Sequence, residues 1–267
     1  MKIISDYHMH TPLCGHAVGM PAEYAEQAIK AGLKEIGFSD HAPLVSHADP
    51  KITMNFEQLP FYHAMIEDVK KKYGKNLSVL VGIEADFIPG HEAKTKAILD
   101  SYPYDYVIGS VHFIGQWGFD DPKEREPWDK HDVNGVYRYY HELLRKSAEC
   151  GLFDYMAHVD LVKKFGHRPT VDMTQEVEKT ARVFKETEMI IEINTSGLRK
   201  PVKEIYPSLE YLTIYRKAGV PLTFGSDAHD PKDVGRDFDK GLKLAKAAGY
   251  KEYVLLRKRK IYRRIKL

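Results

Sequence analysis

The sequence predicts an α/β protein in which β-strands and α-helices alternate along the whole chain. Short apolar runs, typical of buried parallel strands, recur between segments that have helical periodicity. Glycine follows several of the predicted helices, as expected at a helix C-terminus. The chain has 267 residues and 43% apolar content, enough for one large α/β barrel or two small domains.

Seven strands are predicted, and a helix follows each of them. The strands cover residues 3–7, 34–39, 78–83, 104–111, 153–157, 189–193 and 220–225. The helices cover residues 21–31, 56–73, 93–100, 133–150, 174–187, 208–218 and 233–248. Repeated strand–helix units leave two architectures, a closed barrel or a doubly wound sheet. The longer connections, 41–55 and 113–132, are candidate covers of an active site.

Composition excludes several classes of protein. Only Cys14 and Cys150 are present, which argues against a disulfide framework and a zinc ribbon and favours a reducing cytosol. No apolar run approaches the roughly 20 residues that a membrane span needs. The first residues lack the apolar region of a signal peptide and enter a strand at once. We therefore expect a cytoplasmic protein with no membrane partner.

The C-terminal segment is strongly basic. Residues 257–267 contain seven lysines and arginines and no acid, while the rest of the chain is net negative. Such a tail can bind nucleic acid. Apolar residues interrupt it, however, and their spacing favours a packed terminal helix with a solvated basic face. A nucleic-acid partner is therefore not expected.

A polar side chain follows every predicted strand. In chain order these residues are His8 and His10, His41, Glu84 and Asp86, His112, His158 and Asp160, Asn194, and Asp227 and His229, with His16 in the first exit loop. Barrel enzymes build their active sites at the carboxyl ends of the strands. This distribution therefore favours a closed barrel over an open sheet.

Several of these residues are two positions apart, as in His8/His10, Glu84/Asp86, His158/Asp160 and Asp227/His229. In an extended segment such residues project from the same side of the chain. Imidazoles and carboxylates together suit Zn²⁺, Mn²⁺ or Fe²⁺ better than Ca²⁺. The sequence therefore predicts a multinuclear metal site. Cys14 is either a further soft ligand or, as we favour, a small packing residue.

The motifs at these positions resemble those of the PHP (polymerase and histidinol phosphatase) superfamily over essentially the whole chain. They are His8-Met9-His10, Cys14-Gly15-His16, Ser39-Asp40-His41, Gly82-Ile83-Glu84, Gly109-Ser110-Val111-His112, Ala157-His158 and Gly225-Ser226-Asp227-Ala228-His229. Three further segments resemble its histidinol-phosphatase branch: Glu84-Ala85-Asp86-Phe87-Ile88-Pro89-Gly90, His158-Val159-Asp160-Leu161 and Asn194-Thr195-Ser196-Gly197-Leu198-Arg199-Lys200.

The resemblance implies a distorted (β/α)₇ TIM-like barrel, with residues 1–267 forming a single domain and the metal site at the carboxyl ends of the strands. It also implies three divalent transition-metal ions. Their ligands would be His8, His10, Glu84 and Asp227 for the first ion, Glu84, His112 and His158 for the second, and His16, His41 and His229 for the third. Glu84 would bridge the first two ions.

The expected chemistry is metal-assisted attack of water on a phosphorus atom, with Glu84 at the centre of the catalytic site. Arg199 is the expected catalytic cation, because a guanidinium forks onto phosphate oxygens. Asp160 is either a general acid or a residue that orients His158. Asp86 is expected near a substrate ammonium, and Lys163 and Lys164 are further candidates for contact with the phosphate. His47, in a covering loop, is a further candidate substrate contact.

The resemblance implies hydrolysis of L-histidinol phosphate to L-histidinol and phosphate in histidine biosynthesis. This substrate carries an ammonium, an imidazole and a phosphate monoester. The segment 113–132 contains both aromatic residues and acids that suit the first two groups; among the acids are Asp120, Asp121, Glu124 and Glu126. The alternatives are a PHP phosphodiesterase or nuclease, another small-molecule phosphoesterase, and a metal-binding scaffold without turnover.

Overall fold

The computed structural model describes residues 2–47 and 49–267. Within these ranges the strands are β1 (Ser5–Asp6), β2 (Glu35–Phe38), β3 (Ser78–Asp86), β4 (Tyr106–Ser110), β5 (Phe113–Ile114), β6 (Trp117–Gly118), β7 (Tyr155–Met156), β8 (Ile190–Asn194), β9 (Leu222–Gly225), β10 (Glu252–Arg257) and β11 (Lys260–Lys266). The helices are α1 (Pro21–Ala31), α2 (Leu59–Tyr73), α3 (Glu92–Asp100), α4 (Val133–Glu149), α5 (Thr174–Glu186), α6 (Leu209–Ala218) and α7 (Phe238–Ala247).

Seven parallel strands form the central sheet, in the order β1-β2-β3-β4-β7-β8-β9. The two edge strands meet beyond their ends, since Ala228 N donates to His8 O (3.1 Å) and His10 N donates to Ala228 O (2.9 Å). The sheet is therefore a nearly closed barrel. The predicted (β/α)₇ TIM-like barrel is confirmed, and its seven strands lie where the apolar runs predicted them.

Tyrosine side chains fill part of the barrel interior. The rings of Tyr7, Tyr106 and Tyr155 are completely buried, and their centroids lie 5.2 Å and 6.0 Å apart in succession. A Cβ atom at Gly37 or Gly82 would come within 2.3 Å of the Tyr106 side chain. Glycines on β2 and β3 therefore make room for one large ring from β4, so the interior is packed with side chains.

The basic C-terminal segment is a β-hairpin, and the prediction of a terminal helix was wrong. Strands β10 and β11 pair antiparallel, and the turn residues Lys258 and Arg259 have φ values of 50° and 63°. Two of the apolar residues that suggested helical spacing, Ile261 and Ile265, lie on β11 and pack half-buried against the core, while Tyr262 is exposed. Arg259 N donates to Asp105 O (2.7 Å), and the Arg259 side chain contacts Asp154 (2.5 Å). Both partners precede barrel strands, so the hairpin covers the amino-terminal end of the barrel.

Helix boundaries follow local chemistry. Pro21 begins α1, and Gly32, with a φ of 78°, ends it. The Asp132 carboxylate caps α4 by accepting from the backbone N–H groups of Asn134 and Gly135, both at 3.0 Å. The last helix begins at Phe238, later than predicted, because a short 3₁₀ turn occupies residues 231–233.

The segment 113–132 contains a small hairpin, β5–β6, that the sequence did not predict. Of the described helices, none is long and apolar enough to cross a membrane.

Candidate metal centre

Nine side chains converge at the carboxyl ends of the barrel strands. They are His8, His10, His16, His41, Glu84, His112, His158, Asp227 and His229. Five of the histidines lie within 4 Å of the carboxylate of Glu84, which is 1% exposed. The parallel arrangement of the strands explains this convergence, because their carboxyl ends open on the same side of the barrel.

One oxygen of Glu84 faces the histidines of the first strand exit. Its Oε2 atom lies 3.2 Å from His8 Nε2 and 3.7 Å from His10 Nε2. Asp227 closes the group, with its Oδ1 atom 3.3 Å from His10 Nε2 and 3.8 Å from His8 Nε2. Two imidazoles and two carboxylates thus surround one point, as the ligands of a tetrahedral or five-coordinate ion do.

The other oxygen of Glu84 faces a second pair of histidines. Its Oε1 atom lies 3.4 Å from His158 Nε2 and 3.9 Å from His112 Nε2. The two oxygens of a single carboxylate thus serve two separate groups of imidazoles. This is the geometry that a bridging ligand requires.

A third group of imidazoles lies beyond His10. The His229 ring centroid is 4.0 Å from that of His10 and 4.6 Å from that of His16. His41 lies between this group and the centre, since its Nδ1 atom is 3.1 Å from Glu84 Oε2. Ligand atoms of His10, His41 and His229 lie within 4.8 Å of one another. Three imidazoles so close together suit one cation.

Hydrogen bonds fix the ring orientations in the third group. The Nδ1 atom of His16 lies 2.9 Å from Cys14 O, and that of His229 lies 3.1 Å from Asp227 O. Each Nδ1–H therefore donates to a carbonyl, and each Nε2 is left as the free ligand atom. Within the described residues, His229 Nε2 and Glu84 Oε1 are buried without a hydrogen-bond partner. Bound cations would satisfy both atoms, so the donor set fits metal ions.

The protonation states of His16 and His229, in the third group, also suit metal binding. Burial, with His41 and His10 nearby, lowers the pKa of His16 to about 4, and burial beside His10 holds the pKa of His229 well below its usual value. Both imidazoles are therefore neutral near pH 7, as a ligand must be. Burial opposes ionisation of Glu84, but His8 and His41 hold the pKa of its carboxyl well below the normal range.

Acidic side chains orient three of the histidine rings through their Nδ1 atoms. The sequence analysis missed two of these acids, Glu192 and Asp40. Glu192 Oε1 lies 2.8 Å from His8 Nδ1. Asp40 Oδ1 lies 3.5 Å from His10 Nδ1, and Asp40 also accepts from Thr11 N (3.2 Å). Asp86 Oδ1 lies 2.9 Å from His112 Nδ1. A carboxylate behind a ligating imidazole fixes its tautomer and raises its basicity.

One signal in the sequence could have revealed Glu192. It interrupts the apolar run of β8, and it precedes Asn194 by two residues, so both point into the barrel. Gly225 on the neighbouring strand makes room for it, because a Cβ atom there would lie 1.8 Å from Glu192 Oε1. Asp40 carried a weaker signal, since it directly precedes the candidate ligand His41.

Two of the nine residues have strained backbones. His158 has a φ of 28° and Asp227 has a φ of 52°, both in the left-handed region that side chains with a Cβ disfavour. Such conformations cost on the order of 1–3 kcal/mol each and cluster at functional sites. The strain indicates that the surrounding structure holds these two side chains towards the centre.

A cavity of about 690 Å³ opens above the nine side chains. Its walls come from the two connections that were predicted to cover the site, 41–55 and 113–132, and from the exits of β7 and β8. Besides the candidate ligands, the polar lining residues are His47, Asp49, Lys51, Thr53, Asp86, Gln116, Asp120, Asp121, Lys123, Glu124, Lys164, Ser196 and Lys200. A cavity of this size can hold a small phosphomonoester.

Only some of the predicted substrate contacts line the cavity. His47 and Asp86 line the cavity, although one oxygen of Asp86 is already engaged by His112. Arg199 lies outside the lining. Its guanidinium donates to Ser226 O (2.6 Å) and lies 3.3 Å from Asp233 Oδ2, because a half-buried guanidinium needs acceptors and these two provide them.

Asp160 and Lys163 lie outside the lining as well, so the structure does not support a general-acid role for Asp160 or a substrate contact for Lys163. Both are 1% exposed, and they pair with each other at 2.7 Å. Lys163 also contacts Glu204 at 2.8 Å. The spacing argument failed here because the chain leaves the extended conformation at His158 and enters a 3₁₀ turn. Of the two adjacent candidate lysines, Lys164 lines the cavity, and so does Lys200, which was not predicted as a contact.

Cys14 is completely buried, and burial raises the pKa of its thiol. Its Sγ atom nevertheless lies within 4.8 Å of ligand atoms of His16 and His229. A buried neutral thiol is the state expected of a packing residue.

Comparison with known proteins agrees with this geometry. The PHP domain family matches residues 6–196, which contain β2 to β8 and seven of the nine converging side chains. The chain belongs to the PHP family. It is 41% identical to a Deinococcus radiodurans protein named "Probable histidinol-phosphatase", over 93% of this chain and 95% of that protein. It is 33% identical to the histidinol-phosphatase of Bacillus subtilis, over 88% of this chain and 96% of that one.

A solved structure shares the fold of this PHP protein. The histidinol phosphate phosphatase of Lactococcus lactis, solved with zinc, L-histidinol and phosphate, superposes with a TM-score of 0.84. The match covers 97% of this chain and 98% of that one at 23% sequence identity. It supports the barrel architecture over nearly the full length of both chains.

Proposed function

We propose that this protein is a metal-dependent phosphomonoesterase that hydrolyses L-histidinol phosphate to L-histidinol and phosphate in histidine biosynthesis. The observation that carries the proposal is the position of Glu84, whose two oxygens face two groups of imidazoles beneath a cavity of about 690 Å³. The curated relatives at 41% and 33% identity, which match over nearly their full lengths, carry the same activity in their names.

The ligand set supports a trinuclear site of Zn, Mn or Fe ions. His8, His10, Glu84 and Asp227 would hold one ion, and Glu84, His112 and His158 a second. His16, His41 and His229 would hold a third. Ions bound there would act as Lewis acids on phosphate oxygens and lower the pKa of bound water.

The remaining residues of the site bind and orient the substrate. Lys164 and Lys200 line the cavity beside the candidate ligands and bring positive charge to the phosphate. Ser196 lines the same wall, and its Oγ donates to Asp227 Oδ2 at 3.0 Å, which fixes that carboxylate. Asp160 has a positioning role at the exit of β7, where His158 lies. Its carboxylate accepts from Ser208 N (2.8 Å) and pairs with Lys163, which ties the exit of β7 to residues 204–208.

The partner implied by this site is a small-molecule phosphomonoester. We also propose a cytoplasmic location and a single barrel domain over residues 1–267. A nuclease or phosphodiesterase function is disfavoured by the position of the basic hairpin. Its arginines contact Glu35 and Asp154 at the amino-terminal end of the barrel, and the cavity opens at the other end. The basic surface therefore cannot guide a nucleic acid into the cavity.

A phosphate-release screen tests the proposal. L-histidinol phosphate, p-nitrophenyl phosphate and bis-p-nitrophenyl phosphate are compared on protein purified without chelator, and metal content is measured on the same sample. We expect about three transition-metal ions per chain and the highest kcat/KM with L-histidinol phosphate. Preference for the diester would indicate the phosphodiesterase alternative. A fully active protein without metal would exclude the metal-dependent mechanism.

A further inference from the structure

An ion pair is built into the cavity wall beside the candidate metal centre. Lys164 Nζ lies 2.9 Å from Asp120 Oδ2, and both residues line the cavity. The two side chains are 13% and 21% exposed, so water screens them only partly. They come from different parts of the chain, since Asp120 follows β6 and Lys164 follows the turn after β7. The tertiary fold therefore places one anion and one cation side by side at the edge of the cavity.

Aromatic contacts hold the two segments together. The rings of Trp128 and His167 stack with centroids 4.5 Å apart, and the Arg125 guanidinium lies 4.9 Å from the centre of the Phe165 ring. Trp128 Nε1 donates to Phe119 O at 2.9 Å, next to Asp120. The cover formed by residues 113–132 is thus packed onto residues 164–167. The positions of Asp120 and Lys164 are fixed before a substrate arrives, which reduces the entropy cost of binding.

The pair also lies close to the candidate ligands. Lys164, together with His112 and His158, holds the pKa of the Asp120 carboxyl well below its usual range despite burial. The carboxylate is therefore an anion near pH 7. Lys200 lines the same cavity, and burial lowers the pKa of its ammonium; the nearby Lys164 cation adds to this effect, while Asp227 and Asp120 oppose it. The cavity thus has two lysines near the metal centre and one anion beside them.

We propose that Asp120 and Lys164 form the specificity site for a 2-ammonioalkyl phosphate, with Asp120 binding the substrate ammonium and Lys164 an oxygen of its phosphate. The proposal rests on the proposed function, and it names the part of the substrate that the enzyme selects. In L-histidinol phosphate the ammonium-bearing carbon is bonded to the carbon of the phosphate ester. Its positive and negative groups are therefore neighbours, as Lys164 and Asp120 are, and each group faces its opposite.

Binding exchanges one ion pair for two. A phosphate ester without the ammonium takes Lys164 away from Asp120 and leaves the carboxylate without its partner in a partly buried wall. Leaving a buried charge unpaired costs more than the pair itself contributes. Selection therefore works by penalising esters that lack the ammonium, and we expect a preference on the order of 30- to 100-fold in kcat/KM.

The test compares L-histidinol phosphate with its desamino analogue, 3-(imidazol-4-yl)propyl phosphate. Both esters are assayed on the metal-loaded wild-type protein and on the Asp120→Asn and Lys164→Met variants. Asp120→Asn should lower kcat/KM for L-histidinol phosphate and leave the analogue unchanged or improved, so that the preference falls to within about threefold of unity. Lys164→Met should lower kcat/KM for both esters, because both carry the phosphate.

The control is a charge pair on the same cover that lies away from the cavity. The sequence offered Glu126 as one of the acids that suit the substrate, but the structure places it outside the cavity lining. Lys130 Nζ contacts Glu126 Oε1 at 2.5 Å, and both side chains are well exposed. Glu126→Gln should retain the preference of the wild-type protein. If Asp120→Asn is poorly folded, Asp120→Ser and the thermal unfolding midpoint of each variant separate loss of fold from loss of selection. Metal content should be equal in all variants. If Asp120 and Lys164 only stabilised the structure around the metal centre, their variants could lose metal.

Two results would overturn the proposal. The first is a wild-type protein that hydrolyses L-histidinol phosphate and its desamino analogue equally well. The second is an Asp120→Asn variant that keeps the wild-type preference. Failure of the proposed function looks different, because the wild-type protein would then hydrolyse p-nitrophenyl phosphate but neither imidazole ester.

Discussion

His8 Nδ1 lies 2.8 Å from Glu192 Oε1, and both side chains are completely buried. Glu192 also accepts from Asn194 Nδ2 at 2.9 Å, so its carboxylate is fixed on two sides. Because His8 Nδ1–H donates to this carboxylate, His8 Nε2 is the free atom that faces Glu84. The acid on β8 therefore determines the orientation of the first candidate ligand, and it raises the basicity of that imidazole.

Glu192→Gln should weaken metal binding by about 10- to 100-fold, the range typical for loss of an acid behind a ligating histidine. The amide can still accept one hydrogen bond, but it carries no charge to support the imidazole. Competition with a chelator, followed by metal analysis, measures the change directly. An unchanged metal affinity would show that Glu192 only fills space beneath His8.

Glu35→Gln is a matched control for this variant. Glu35 is also a buried acid on a barrel strand, but it lies at the amino-terminal end, where it pairs with Arg257 at 2.7 Å. Its substitution should lower the unfolding midpoint and leave the metal affinity unaltered. A loss of metal in both variants would indicate a general effect of removing buried charge.

Local patterns in the sequence predicted the barrel and the convergence of polar side chains at its carboxyl end, and the resemblance to the PHP family singled out the nine candidate ligands among them. Apolar runs mark the strands, and a residue that follows a parallel strand lies at the same end as its neighbours. Roles that depend on side-chain direction after the strand were not predictable in this way. The structure places Asp160 and Arg199 outside the cavity lining for this reason, since a turn at His158 and the acceptors around Ser226 redirect their side chains.

The C-terminal hairpin illustrates a second limit. Lys, Arg and Ile at irregular spacing fit a helix and a strand about equally well, and only the pairing with β10 decides between them. The sequence analysis did not identify Glu192 as a site residue, because a single acid inside an apolar run gives no periodic pattern. Its function depends on a glycine on the next strand, which is a tertiary relationship.

Glu84→Gln should abolish turnover while the fold is retained. The carboxylate serves two groups of imidazoles at once, and a neutral amide cannot balance the charge of two cations. We expect a loss of at least about 10³ in kcat, as for other central electrostatic groups. Steady-state kinetics and metal analysis of the variant test this. Activity near the wild-type level at normal metal content would exclude Glu84 as the shared ligand.

Lys200→Met and Arg199→Ala should have different effects. Lys200 lines the cavity, so its loss should lower kcat/KM for phosphomonoesters by about 10- to 150-fold and weaken inhibition by inorganic phosphate. Arg199 supports Ser226, which precedes the candidate ligand Asp227, so its loss should reduce metal retention and leave phosphate inhibition of the reloaded enzyme unchanged. If inhibition by phosphate weakens in Arg199→Ala and not in Lys200→Met, Arg199 and not Lys200 contacts the phosphate.

The pH dependence of stability should contain a contribution from His141, which lies outside the metal centre. Its side chain is completely buried between α4 and α5, and Nδ1 lies 3.2 Å from Thr180 Oγ1. Burial, with the Arg145 cation nearby, lowers the pKa of His141 from 6.5 to about 3. The unfolded chain therefore binds a proton at this residue below about pH 6.5, and the folded protein does not.

The stabilising contribution of neutral His141 is fully present above pH 6.5 and is lost as the pH falls towards about 3. The free energy of unfolding should thus fall by up to about 1.4 kcal/mol per pH unit from this residue alone. In His141→Gln the slope should be shallower by that amount. Urea unfolding of metal-free wild-type and variant proteins between pH 4.5 and 8 measures it, with the region above pH 7.5 as an internal control where the curves run parallel. Parallel curves throughout would show that His141 is protonated equally in the folded and unfolded states.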